Sequence, residues 1–140
     1  MKNIQKPMRY FSFKKLVRDR IVELMKDCGE KPVGVKVLSE KKFIEELVIK
    51  LVEESTEMLN IKDTNKLKEE LVDVIEVADY LKTYLKLSDK EFKKLLKEKR
   101  VGVGGFDKRL YLDKVGATND NKWTKYYLNN PDRYPEIKRK

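Results

Sequence analysis

Two acidic clusters, Glu53-Glu54-Ser55-Thr56-Glu57 and Glu69-Glu70-Leu71-Val72-Asp73, hold the side chains best suited to chemistry in this sequence. A spacing of three sets Glu54 beside Glu57, and Glu70 beside Asp73, on one surface of a helix. Spacing alone fits a solvated acidic face, because charged pairs are common on exposed helices. The apolar pattern around the clusters argues otherwise. Ile44, Leu47, Leu51, Glu54 and Met58 form one ladder of three-and-four spacings, and Leu67, Glu70, Val74, Val77 and Leu81 form another. Glu54 and Glu70 each fill a rung where the pattern requires a hydrophobic residue. An ionised carboxylate placed in a core without a partner carries a large desolvation cost or takes up a proton. No lysine lies on either ladder to neutralise the two, so a divalent cation is expected between them. Magnesium suits a site of oxygen ligands and joins carboxylates to phosphates, with manganese as a substitute, whereas zinc favours nitrogen or sulfur.

What the sequence lacks narrows the chemistry further. Its 140 residues contain no histidine and one cysteine. A Ser-His-Asp triad, a Cys-His pair and an imidazole base are therefore excluded, leaving carboxylates, lysine and tyrosine for proton transfer. Cys28 has no second thiol for an internal disulfide and no partner ligand for zinc. A cation held by carboxylates alone suits hydrolysis of a phosphoanhydride, because it neutralises phosphate oxygens and acidifies an attacking water.

The formal charge of +9 is unevenly spread. Residues 1–20 carry seven basic side chains against one acidic, and residues 101–140 carry nine against five. Residues 45–79 carry four lysines against eleven acids. The basic ends supply candidates for holding phosphate: Lys14, Lys15, Arg18 and Arg20 at one end, and Lys97, Lys99 and Arg100 beside a glycine loop. That loop, Gly102 to Gly105, lacks the Lys-Ser or Lys-Thr ending of a phosphate-binding P-loop and reads as a helix stop. Trp123, Tyr126 and Tyr127 are suited either to stacking on a base or to packing the tail, and packing is the commoner use.

The elements that must position these groups are mostly helical. A short amphipathic helix is expected over Lys14 to Lys26, stopped at Cys28-Gly29. Val33, Val35 and Val37 alternate as a short strand would, and Arg109 to Leu112 is a second strand candidate. Ser39 opens a long helix to about Asn60, Asp63-Thr64-Asn65 is a turn, and a second long helix runs from Asn65 to Lys86. Ser88 and Glu91 form a capping box for a third, reaching Arg100. No periodicity is evident after Gly116. The short turn makes the two long helices an antiparallel pair, which brings both carboxylate sets to one place.

This arrangement resembles the all-α nucleoside triphosphate pyrophosphohydrolase superfamily, which includes MazG, dimeric dUTPases and phosphoribosyl-ATP pyrophosphohydrolase. The signature of that superfamily, E-x-x-E followed after a spacer by E-x-x-D, is matched by Glu54-x-x-Glu57 and Glu70-x-x-Asp73. Lys15 through Ile21, Lys31-Pro-Val, Val37-Leu38, and Lys99-Arg100 leading to Gly104-Gly105-Phe106 resemble its small, phosphoribosyl-ATP-pyrophosphohydrolase-like house-cleaning branch. The resemblance implies a magnesium-dependent enzyme that cleaves a nucleoside triphosphate between its α and β phosphates. It also implies Glu54, Glu57, Glu70 and Asp73 as catalytic metal ligands, and a MazG-like all-α bundle, with one or two short strands, completed by homo-oligomerisation into a dimer or tetramer.

The expected organisation is a basic extension over 1–13, a MazG-like domain over 14–115 and a basic, aromatic tail over 116–140. Phosphoribosyl-ATP hydrolysis is the alternative activity. A basic helical nucleic-acid-binding or adaptor protein is the alternative of another class. Nucleic acid is not the expected partner, because buried carboxylates repel phosphates unless a cation intervenes. No apolar run reaches the length of a membrane span, and the N-terminus lacks a secretory pattern, so no membrane association and a cytoplasmic location are expected.

Overall fold

Four of the helices, the last among them, begin where a short polar side chain can accept from the exposed amides of a first turn. The Ser39 hydroxyl accepts from the Lys42 amide at 3.2 Å, the Asp63 carboxylate from the Lys66 amide at 2.9 Å, and the Ser88 hydroxyl from the Glu91 amide at 3.2 Å. In the computed structural model, which describes residues 4–138, the helices are α1 (Ile21–Asp27), α2 (Glu40–Glu57), α3 (Thr64–Tyr84), α4 (Asp89–Val103) and α5 (Lys122–Leu128). The first three residues of the expected N-terminal extension and the last two of the tail lie outside the described residues. The chain is mainly helical, and there is no strand among the described residues.

α2 tightens into a 3-10 turn over Met58–Asn60 before the chain enters α3. The two long helices then pack along each other. Their direction is antiparallel, since Phe43 at the start of α2 meets Tyr84 at the end of α3, edge to face with ring centres 4.8 Å apart. Leu47 (4% exposed) and Leu81 (8%) are the buried apolar side chains between them. α3 closes with Lys86 in the left-handed region (φ +57°), and the Leu87 amide reaches back to the Lys82 carbonyl at 2.9 Å. That hydrogen bond satisfies a carbonyl left open at the helix end.

Several expectations are corrected. The N-terminal helix begins at Ile21 rather than Lys14, because Lys14 takes a left-handed backbone and residues 18–20 form a turn that closes from the Ile21 amide to the Arg18 carbonyl. Neither expected strand forms. Gly34 has φ +73° in the middle of the valine alternation, Arg109 has φ +53° at the start of the other segment, and no neighbouring strand offers a ladder. Val37 is consequently fully exposed. α4 continues three residues past Arg100 and stops at Gly104 (φ +82°). The tail contains a regular element after all: α5 is capped by Asn121, whose side-chain oxygen accepts from the Trp123 amide at 2.9 Å.

The described residues separate into two units, one ending at Lys97 and the other beginning at Glu98. In the second, Tyr126 lies 5.9 Å from Trp123 and 5.8 Å from Tyr134, and Tyr127 lies 5.0 Å from Tyr134, so the tail aromatics pack on one another. No helix is long and apolar enough to cross a membrane among the described residues. The paired helices α2 and α3 keep apolar surface open to solvent. Val48, Ile49 and Val52 on α2, and Val72 and Ile75 on α3, contribute to that surface.

The pairing of α2 with α3 depends on Leu47 more than on any cap. Leu47→Ala is expected to lower stability by about 2–4 kcal/mol and Asp63→Ala by about 1 kcal/mol, read from urea unfolding followed by far-ultraviolet circular dichroism. The opposite order would mean that local capping, rather than the apolar seam, holds the hairpin.

Candidate metal centre

The last two turns of α2 and the first turns of α3 lie on either side of the hairpin connection, so Glu54 and Glu57 approach Glu70 from opposite helices. One carboxylate oxygen from each lies within 4.8 Å of the other two. The Glu54 side chain is only 12% exposed, Glu57 is exposed and Glu70 is half-buried. Oε2 of Glu70 is sealed from solvent and has no hydrogen-bond partner. A buried, unpartnered carboxylate oxygen is a costly arrangement for an apolar seam to tolerate.

Cations surround this trio without filling it. Nζ of Lys50 lies 3.1 Å from Glu54 Oε1 and 3.3 Å from Glu53 Oε2. Nζ of Lys15 lies 2.9 Å from Glu53 Oε1. The Arg18 guanidinium spans Asp73, at 2.5 Å from Nη2 to Oδ1, and Glu76, which pairs with Nη1. Only Lys50 among these pairs with a member of the trio. Three carboxylates against one ammonium leave two negative charges uncompensated, the charge of one divalent cation.

The protonation equilibria follow this layout. The neighbouring Glu54 charge raises the pKa of Glu57 above the usual glutamate range, with smaller contributions from desolvation and from Glu70 and Glu53. The hydrogen bond from Lys15 holds Glu53 below that range, assisted by Lys50 and opposed by burial. For Lys50, burial favours the neutral amine, but its hydrogen bond to Glu54 and the charge of Glu53 outweigh that and raise its pKa. Asp73, followed by Glu76, raises the pKa of Arg18.

The structure brings together three of the four carboxylates expected as ligands. Asp73 stands apart from the trio and accepts from Arg18 instead. Of the phosphate-binding candidates, Lys15 and Arg18 lie on carboxylates flanking the trio. Arg20 pairs with Glu23 at 3.5 Å within its own segment, and Lys99 and Arg100 lie exposed on α4 in the unit beginning at Glu98. Lys50 is the residue that sequence reasoning missed. It is off the apolar ladder, yet its half-buried side chain neutralises Glu54, and the signal was its i, i+4 spacing from that residue.

The donor set is all oxygen and carries excess negative charge, which fits a hard divalent cation. Comparison of the chain with known protein families, curated proteins and solved structures gave no match.

Glu53 and Glu57 are expected to affect acid stability in opposite senses. The lowered pKa of Glu53 contributes stability that is present above its unfolded value and lost as pH falls through the folded one. Glu57, with its raised pKa, costs stability while ionised, a cost relieved as pH falls through that pKa. In metal-free urea titrations from neutral to acid pH, Glu53→Gln should therefore destabilise most near neutrality. Glu57→Gln should stabilise there, and both differences should vanish in acid. A gain from Glu57→Gln that persists at the acid end would show that its charge is not responsible.

Proposed function

We propose that this chain is a magnesium-dependent nucleoside triphosphate pyrophosphohydrolase acting in nucleotide-pool house-cleaning, with Glu54, Glu57 and Glu70 holding the cation. The observation that carries the reading is that one oxygen from each of those three carboxylates lies within 4.8 Å of the other two, while Oε2 of Glu70 is buried without a hydrogen-bond partner. The motif resemblance adds Asp73 as the fourth ligand and supplies the reaction, cleavage between the α and β phosphates. Magnesium bound there would offset phosphate charge and acidify the attacking water. Lys50, paired with Glu54 at 3.1 Å, sets one positive charge of the chain's own beside the trio. Glu53, held in its charged form by Lys15, is placed beside the trio to accept a hydrogen bond from water. Lys15 and Arg18 supply positive charge for the remaining phosphates. The large exposed apolar area of α2 and α3 supports the second part of the proposal, a homo-oligomer that covers it.

Pyrophosphate release should be tested across ordinary and modified nucleoside triphosphates and phosphoribosyl-ATP, with and without magnesium. Activity should require the metal. Glu54→Gln should reduce it by more than the about 10–100-fold that loss of an outer-shell partner costs. Preference for phosphoribosyl-ATP would assign the alternative substrate, and no pyrophosphate from any of them would overturn the hydrolase reading. Light scattering on the eluted protein should give at least twice the 16.6 kDa chain mass. A monomer at micromolar concentration would remove the oligomer from the proposal.

A further inference from the structure

Arg18 occupies a turn in which no helix needs it, and its guanidinium reaches 55 residues along the chain to α3. There it spans Asp73 and Glu76, which are one turn apart, while Lys15 from the same segment grips Glu53 on α2. The segment thus clamps both long helices beside the carboxylate trio. Leu16 of the same segment is half-buried as well. The backbone of α1, which follows directly, has no close neighbour among the other helices, and the Arg18 side chain is 56% exposed. Arg18 itself lines an open surface groove with Val72, Ile75, Glu76 and Asp79. Pairs this exposed bias an equilibrium by only about two- to fivefold. A guanidinium and a divalent cation drawn to the same carboxylate also repel each other.

We infer that Arg18 is a counter-ion latch: it holds Asp73 in the metal-free chain, and segment 14–20 is released when Asp73 turns to a divalent cation at the trio. This rests on the reading of Glu54, Glu57 and Glu70 as a cation site. Release frees the guanidinium for the anionic ligand that accompanies the cation. Asp73 therefore stands apart from the trio because Arg18 keeps it there.

Cys28 is the single cysteine, exposed, and it caps the far end of α1, the helix that follows the latch segment. A nitroxide attached there to the full chain reports the mobility of that segment during a titration with magnesium alone. The spectral lines should narrow with the same midpoint that calorimetry gives for magnesium binding. In Arg18→Ala the lines should be narrow before any metal is added, and magnesium should bind about two- to fivefold more tightly. Arg20→Ala, which removes equal charge from the Glu23 pair, should leave the affinity at the wild-type value. Calorimetric binding without any change at Cys28, or equal tightening by Arg20→Ala, would overturn the latch and leave the cation site standing. Absence of magnesium binding to the wild-type chain would overturn both.

Discussion

Like charges forced together at the end of an apolar seam are the constraint around which the rest of this chain is arranged. Glu54 and Glu70 take places that leucine or valine would fill in an ordinary helical hairpin, and Glu57 adds a third charge at the same level. Such crowding opposes the pairing of α2 with α3 at the end nearest their connection. Lys50 offsets part of it from within α2, and Lys15 and Arg18 hold the flanking carboxylates from a segment far away in sequence. The packing further from the connection, at Leu47 and Leu81 and between Phe43 and Tyr84, compensates by closing the open end of the hairpin.

The basic N-terminal segment bears on the same constraint. Residues 14–20 have the apolar spacing of a helix, yet the helix is postponed to Ile21. Lys14 has a left-handed backbone and the Ile21 amide closes a turn on the Arg18 carbonyl, and from that turn Arg18 meets Asp73 and Glu76 of α3. The segment is thereby both a cover for the acidic surface and a source of positive charge next to it.

The starts of α2 and α4 were legible in the sequence because caps are local: Ser39 and Ser88 each act on an amide three residues ahead, whereas Asp63, read as part of a turn, is the cap of α3. Glu54 and Glu70 were legible because a charge on an apolar rung is an anomaly that neighbouring residues expose. The fate of Asp73 was not, since it depends on Arg18, and nothing local to either residue reveals that meeting. The valine alternation at residues 33–37 misled for a related reason. A strand is defined by a partner, and the pattern of one segment says nothing about whether a second lies beside it. α5 escaped notice because seven residues provide too few turns for periodicity, although the three-and-four spacing of Trp123, Tyr126 and Tyr127 was present.

The aromatic knot of the tail has an optical consequence. The chain's lone indole belongs to Trp123, and the ring of Tyr126 stands 5.9 Å away, near enough for a phenol to pass excitation to it. Ultraviolet emission is therefore governed by the surroundings of residues 123–134, whereas ellipticity is dominated by the much longer α2 and α3. The two spectroscopies watch different ends of the polypeptide, and their melting curves coincide only where the two units come apart together.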